Sequence, residues 1–160
     1  MKTVIALLVA LASASPAFAQ TNINLGGIST DPSAAVEISA DNLSVDQDTG
    51  TAVFSGNVVI GQGALRLSAG SVRVVYAETT GDIAQLIASG GVTFVTDTQA
   101  AEAASADYNL TTGQLILSGN VLLSQGASAL SADKMTVDLT SGTAQMSGRV
   151  RTVFQQDGGN

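Results

Sequence analysis

An all-β fold of antiparallel strands is what this sequence predicts, and three observations carry the prediction. A Ser-Gly-x-Val unit occurs four times, at Ser55-Gly56-Asn57-Val58, Ser89-Gly90-Gly91-Val92, Ser118-Gly119-Asn120-Val121 and Ser147-Gly148-Arg149-Val150, about 30 residues apart. That is the period of a repeated supersecondary unit. Around each unit apolar residues alternate with small polar ones, the period of two that belongs to half-buried strands. Between the units lie Thr49-Gly50, Thr80-Gly81, Thr112-Gly113 and Ser141-Gly142, where glycine supplies the positive φ of a tight hairpin.

Before the repeats, the chain opens with Lys2, an apolar run from Val4 to Ala12 and the small-residue site Ala17-Phe18-Ala19. This is the layout of a cleavable secretory leader over residues 1–19. The apolar run is shorter than the ~20 residues that cross a bilayer as a helix, so export from a bacterial cytoplasm and a soluble mature protein beginning at Gln20 are expected. No cysteine is present, which leaves neither a cysteine-linked lipid anchor nor a disulfide framework. Residues 20–35 are rich in Gly, Ser, Asn and Asp and contain Pro32, and they read as a flexible lead-in. The ordered domain is expected over 36–154, with a disordered tail at 155–160.

Within the domain, Phe54, Gly56, Val58 and Ile60 fall on one strand face. The same phase returns in Ala88, Gly90, Val92 and Phe94, in Leu117, Gly119, Val121 and Leu123, and more weakly in Met146, Gly148, Val150 and Thr152. Leu65, Leu67, Val72, Val74, Tyr76, Tyr108, Leu110, Met135, Val137 and Leu139 supply partner strands. The opposite face carries Ser55, Asn57, Arg66, Arg73, Ser118, Asn120, Lys134 and Asp138 and is expected to be wet. A second repeated element interleaves with the first: Ser39-Ala40-Asp41, Ser68-Ala69-Gly70, Ser105-Ala106-Asp107 and Ser131-Ala132-Asp133. Ala100 to Ala106 has helical propensity but marginal length for a helix, and it reads as a loop running into a strand. Two packed sheets, or one sheet folded on itself, satisfy the whole pattern. A jelly-roll-like sandwich is the expected architecture.

Charge narrows the function. The sequence has 6 basic and 13 acidic residues, and loss of the leader removes Lys2 alone among them, giving a mature net charge of −8. Such a surface disfavours nucleic acid, whose binders neutralise phosphate with Lys and Arg. The absence of His and Cys removes imidazole triads, thiol nucleophiles and most zinc sites. No cofactor or metal is expected. Asp41, Asp46, Asp48, Asp107, Asp133 and Asp138 recur beside turns, without the dense ligand spacing of a calcium loop. Their expected role is to cap turns through backbone amides.

Two features leave alternatives open on the residues alone. The first and last strands, expected over Val36 to Val45 and Thr143 to Phe154, have little of the Pro, Lys or bulge protection that edges usually carry, so they either accept strands from other molecules or are covered by the lead-in and tail. The inward apolar face is either a dry core, with glycine marking bulges, or a trough where glycine lets a ligand approach.

The ordered motifs Ile38-Ser39-Ala40-Asp41, Phe54-Ser55-Gly56-Asn57-Val58, Gln62-Gly63 and Leu117-Ser118-Gly119-Asn120-Val121 together resemble the LptA (OstA-like) family of periplasmic lipopolysaccharide-export proteins, over almost the whole mature chain. The resemblance implies an antiparallel β-jelly-roll of V-shaped section whose interior shields the acyl chains of lipopolysaccharide. It also implies head-to-tail oligomers linking inner-membrane-anchored and outer-membrane OstA-domain proteins across the periplasm. On that basis the expected lipid-facing residues are Val36, Ile38, Phe54, Val58, Ile60, Leu67, Val74, Phe94, Tyr108, Leu110, Leu117 and Val121. The expected partner-binding edges carry Val36, Ile38, Leu43, Met146, Val150 and Phe154. A non-enzymatic lipid carrier is thus the leading expectation. A β-repeat envelope scaffold without lipid is the alternative, and a carboxylate-based glycosidase ranks last because its two carboxyls must face one cleft.

Overall fold

The computed structural model describes residues 22–24 and 33–155. The expected leader, and the tail from residue 156, lie outside the described residues. Thirteen strands make one sheet: β1 (Asn22–Asn24), β2 (Val36–Ser39), β3 (Asn42–Asp46), β4 (Thr51–Gln62), β5 (Leu65–Tyr76), β6 (Ile83–Ser89), β7 (Val92–Val95), β8 (Gln99–Ala103), β9 (Ser105–Asn109), β10 (Gln114–Gln125), β11 (Ser128–Asp138), β12 (Thr143–Ser147) and β13 (Arg151–Val153). Every pairing is antiparallel. The four hairpin glycines have positive φ as expected: Gly50 61°, Gly81 73°, Gly113 70° and Gly142 71°.

Of the two architectures that the alternation allows, the protein takes the single folded sheet. A crease runs across it, and each Ser-Gly-x-Val unit lies on that crease. In β4 the register against β5 shifts between Ser55 and Val58, and in β10 the register against β11 shifts between Ser118 and Val121. One extra residue is thus inserted into β4 and into β10, which bends a strand and sharpens its twist. The partners change phase at the same line. In β5 the buried set is Leu65, Leu67, Ala69 and then Val72, Val74, and in β11 it is Leu130, Ala132 and then Met135, Val137. Elsewhere the crease breaks a run altogether, separating β2 from β3, β6 from β7, β8 from β9 and β12 from β13.

The crease divides the sheet into two leaves. Leaf A holds β2, residues 58–62 of β4, 65–69 of β5, β7, β8, 121–125 of β10, 128–132 of β11, and β13. Leaf B holds β3, the remaining parts of the four long strands, β6, β9, β12 and β1. Their inner faces meet in one apolar core, in which Phe94, Leu117, Leu123 and Met135 are fully buried. A hydrogen bond from Tyr108 Oη to Gln62 Oε1, 2.9 Å and buried, joins β9 of leaf B to β4 in leaf A, strands that do not pair. The leaves are therefore face to face.

Several expectations need correction. Ala100 to Ala106 is no loop: it lies in β8 and β9, where small side chains fit a crowded interior and tertiary packing overrides alanine's helical propensity. The expected first strand breaks at Ala40-Asp41, and the expected last strand breaks at Gly148-Arg149-Val150. Within the lead-in, residues 22–24 pair with β12 from Gln145 to Thr143. Val150 and Thr152 continue the inward phase but are exposed, as is Tyr76. Finally, Ser105-Ala106-Asp107 is not the third copy of its motif. Asp41 N and Asp133 N donate to Gly56 O and Gly148 O, and the matching amide is that of Ala104, which donates to Gly119 O at 3.0 Å. The structural equivalent is Glu102-Ala103-Ala104, whereas Asp107 sits in β9 and accepts from Gln85 Nε2.

Candidate functional site

The site is built from rows of inward side chains, because residues opposite one another in an antiparallel ladder share a face. In leaf B the row next to the crease reads Phe54, Val72, Ala88, Ala106, Leu117, Met135, Met146, each directly paired with the next. The second row reads Ala52, Val74, Leu86, Tyr108, Leu115, Val137, Ala144. Ile83, Leu110 and Leu139 lie beyond it against the core. In leaf A the row at the crease comprises the pairs Val58–Ala69, Val92–Ala103 and Val121–Ala132. The next row runs Ile38, Ile60, Leu67, Phe94, Ala101, Leu123, Leu130, Thr152. Apart from the Tyr108 hydroxyl and the exposed Thr152 of β13, these four rows are apolar.

Eight of the twelve expected lipid-facing residues are deeply buried: Val58, Ile60, Leu67, Val74, Phe94, Tyr108, Leu117 and Val121. The other four, Val36, Ile38, Phe54 and Leu110, are half-buried and packed against the same core. All twelve share the interior, and they close on one another. Of the expected edge residues, Met146 is turned into the core from β12, which β1 flanks. Leu43, Val150 and Phe154 are exposed, the last at 72%. At β3 the two leaf B rows continue as Leu43, paired with Phe54, and Val45, paired with Ala52, both open to solvent. The apolar rows therefore emerge at the edge of the sheet.

The crease is held by a repeated contact. Asn57 Nδ2 donates to Asp41 Oδ2 at 2.9 Å, and at the equivalent place in the last repeat Arg149 Nε donates to Asp133 Oδ1 at 3.0 Å. Asn57, Asn120 and Arg149 have φ of 47°, 47° and 45°, a left-handed conformation that Asn adopts more readily than most residues. In the middle repeats no such side-chain pair is present among the described residues, and glycine there lets the strands approach closely. A Cβ on Gly119 would lie 2.7 Å from the Ala104 Cβ, and one on Gly90 3.3 Å from the Gly70 Cα. The central glycines thus mark bulges and close strand contacts.

Two further carboxylates close turns. Asp46 Oδ1 accepts from the amides of Asp48 and Thr49, and Asp138 Oδ1 from those of Thr140 and Ser141. The latter bonds hold the Asp138 carboxyl below its ordinary value, and the Arg149 guanidinium does the same for Asp133. Among the described residues no cluster of three or more acidic side chains is arranged to hold a metal ion. Inside, burial pushes the Tyr108 phenol above its ordinary value, which keeps it protonated as the donor to Gln62.

What alternation did not disclose is a third inward row in leaf A, farthest from the crease. It contains Gln62, paired with Val36 and Leu65, and Gln99, paired with Gln125, which in turn faces Ser128. Thr96 N donates to Gln99 O at 2.9 Å, closing the connection between β7 and β8. Gln62 and Gln99 are the buried polar residues of the core, 2% and 3% exposed. The signal was present in the Gln62-Gly63 motif, but a glutamine before a turn reads as a solvated strand end until the fold turns it inward.

Residues 37–143 match the family model described as LptA/(LptD N-terminal domain) LPS transport protein. Among solved structures the fold is similar to LptH, the LptA homologous periplasmic component of the conserved lipopolysaccharide transport device from Pseudomonas aeruginosa. That likeness has a TM-score of 0.71 and 17% identity, and it covers 79% of this chain and 99% of that one. No curated protein sequence matches. With its folded sheet like that of LptH and a family model spanning well over half its length, the chain belongs to the LptA/LptD N-terminal domain family of lipopolysaccharide transport proteins.

Proposed function

We propose that this protein is a periplasmic carrier that shields the acyl chains of lipopolysaccharide between its two leaves and joins head to tail with further copies and with membrane-anchored OstA-like domains. The family is one of transport proteins and not of enzymes. The observation that carries the reading is the apolar interior, which spans both leaves and whose leaf B rows emerge at the β3 edge. Each CH₂ buried there contributes ~0.8 kcal/mol, so acyl burial supplies affinity that a strongly acidic surface does not supply to phosphate. Lipid enters by parting the leaves on the side away from the crease, which breaks the Tyr108–Gln62 bond. β3 and β13 each pair with a single strand among the described residues, and strand addition at such edges extends a sheet between molecules.

A photo-crosslinker at Phe94 or Tyr108 is expected to capture lipopolysaccharide in cells, and persistent absence of the adduct sinks the carrier reading. For assembly, light scattering is expected to show mass rising with concentration and falling when β13 is deleted. A constant mass, unaffected by the deletion, overturns head-to-tail joining. The closed packing of the interior favours one rival, a strand-repeat scaffold without cargo. Mass spectrometry of lipid retained by the purified protein separates the two, since the scaffold retains none.

A further inference from the structure

We infer that Gln99 and Thr96, in the third inward row of leaf A, form a recognition site for the ester or amide linkage that joins an acyl chain to its headgroup. The inference rests on the carrier reading above and adds a polar subsite to it. Gln99 is 3% exposed, yet neither Nε2 nor Oε1 has a hydrogen-bond partner among the described residues, and the buried Thr96 Oγ1 has none either. Buried amides are nearly always paired, because an unmatched one forfeits its hydration without compensation. An orphaned donor and acceptor on one side chain, beside an orphaned hydroxyl, is the complement of a carbonyl flanked by an N–H or O–H. Gln62 in the same row is already committed, donating to Ala34 O and accepting from Tyr108.

Position selects the ligand class. Between this row and the crease lie two apolar rows, and from Val58 to Gln62 the wall extends about 13 Å at ~3.3 Å per residue. A chain laid with its methyl end toward the crease brings its carbonyl to the Gln99 row and its headgroup to solvent. At its own rim leaf B packs the apolar Ile83, Leu110 and Leu139 against the core and leaves Tyr76, paired with Ile83, exposed to solvent, so the linkage is read from leaf A. Gln99 Nε2 and Thr96 Oγ1 donate to the acyl carbonyl, while Gln99 Oε1 accepts from an amide N–H or a hydroxyl of the same linkage.

Lipopolysaccharide carrying ¹³C at its acyl carbonyls is the probe, and infrared spectroscopy of the complex with the mature protein is the readout. The bound carbonyl band is expected to fall in frequency in the wild type and to rise toward its unbonded position in Gln99→Leu. Affinity of that variant is expected to drop about three- to tenfold, while its melting temperature holds or rises because an unmatched amide is gone. If Gln99→Leu does not fold, Gln99→Met and Thr96→Val make the same measurement, the latter with a smaller shift. Binding with an identical carbonyl band in wild type and variants overturns the subsite and leaves the carrier reading intact. Failure of the wild type to bind the probe at all overturns both.

Discussion

The two leaves are built from the same four long strands, yet their inner faces differ where they meet solvent. Leaf B buries apolar Ile83, Leu110 and Leu139 toward its rim and leaves Tyr76 to solvent, while leaf A encloses polar groups of Gln62, Thr96 and Gln99 in its last row. The crease explains how both arise from one repeat. At the crease β4 and β10 each take in one extra residue and keep their phase while β5 and β11 change theirs, so the residues on its two sides are free to serve different ends. The shared rows hold the fold together, and the unshared rim is where a function can be added at a tolerable cost to stability.

The shared rows are expected to be the most sensitive to substitution. Phe94→Ala in leaf A is expected to destabilise by about 3–5 kcal/mol, because a fully buried ring leaves a cavity that packed neighbours cannot fill. Leu115→Ala in leaf B is expected to cost a similar ~2–5 kcal/mol, and chemical denaturation measures both. Next comes the crease. Gly119→Ala places a methyl against Ala104 at a φ of 84° and is expected to cost about 2–3 kcal/mol. A stability near wild type would mean that the bend does not depend on this contact. Tyr108→Phe removes the bond between the leaves and leaves Gln62 Oε1 without its phenol donor, for about 1–2 kcal/mol. The same variant is expected to load lipid faster in a stopped-flow assay, since the leaves part more readily.

The smallest effect is expected at the exposed crease pair of the last repeat. Arg149 holds the Asp133 carboxyl below its ordinary value in the folded protein. Its contribution is therefore present above the unfolded carboxylate pKa and is lost as pH falls through the depressed folded value. Thermal melts between pH 7 and pH 2 are expected to show Asp133→Asn converging on the wild type at the acid end. High salt is expected to shrink the difference at neutral pH, because the pair is open to solvent.

Much of this was legible before any coordinates. Alternation identified the inward residues from Phe54 through Leu123, glycine after Thr or Ser located the hairpins, and Asp46 and Asp138 close turns as Asp ordinarily does. The failures share one cause. Ala100 to Ala106 reads as a loop, and Ser105-Ala106-Asp107 passes for a repeat copy, because local composition is blind to which strand lies alongside; Ala104 is marked only by its partner Gly119. Met146 reads as an edge residue because nothing local announces that residues 22–24 flank its strand.

The sequence by itself therefore determined the strand class, the turns and the identity of the apolar face, since each depends on residues within a few positions of one another. Long-range packing set the rest: the sheet folds along its bulges, Tyr108 meets Gln62 across 46 residues, and the side-chain amide of Gln99 is shut inside without a hydrogen-bond partner among the described residues. Those facts depend on register between distant strands, and register is settled when two faces pack, not while one strand is forming.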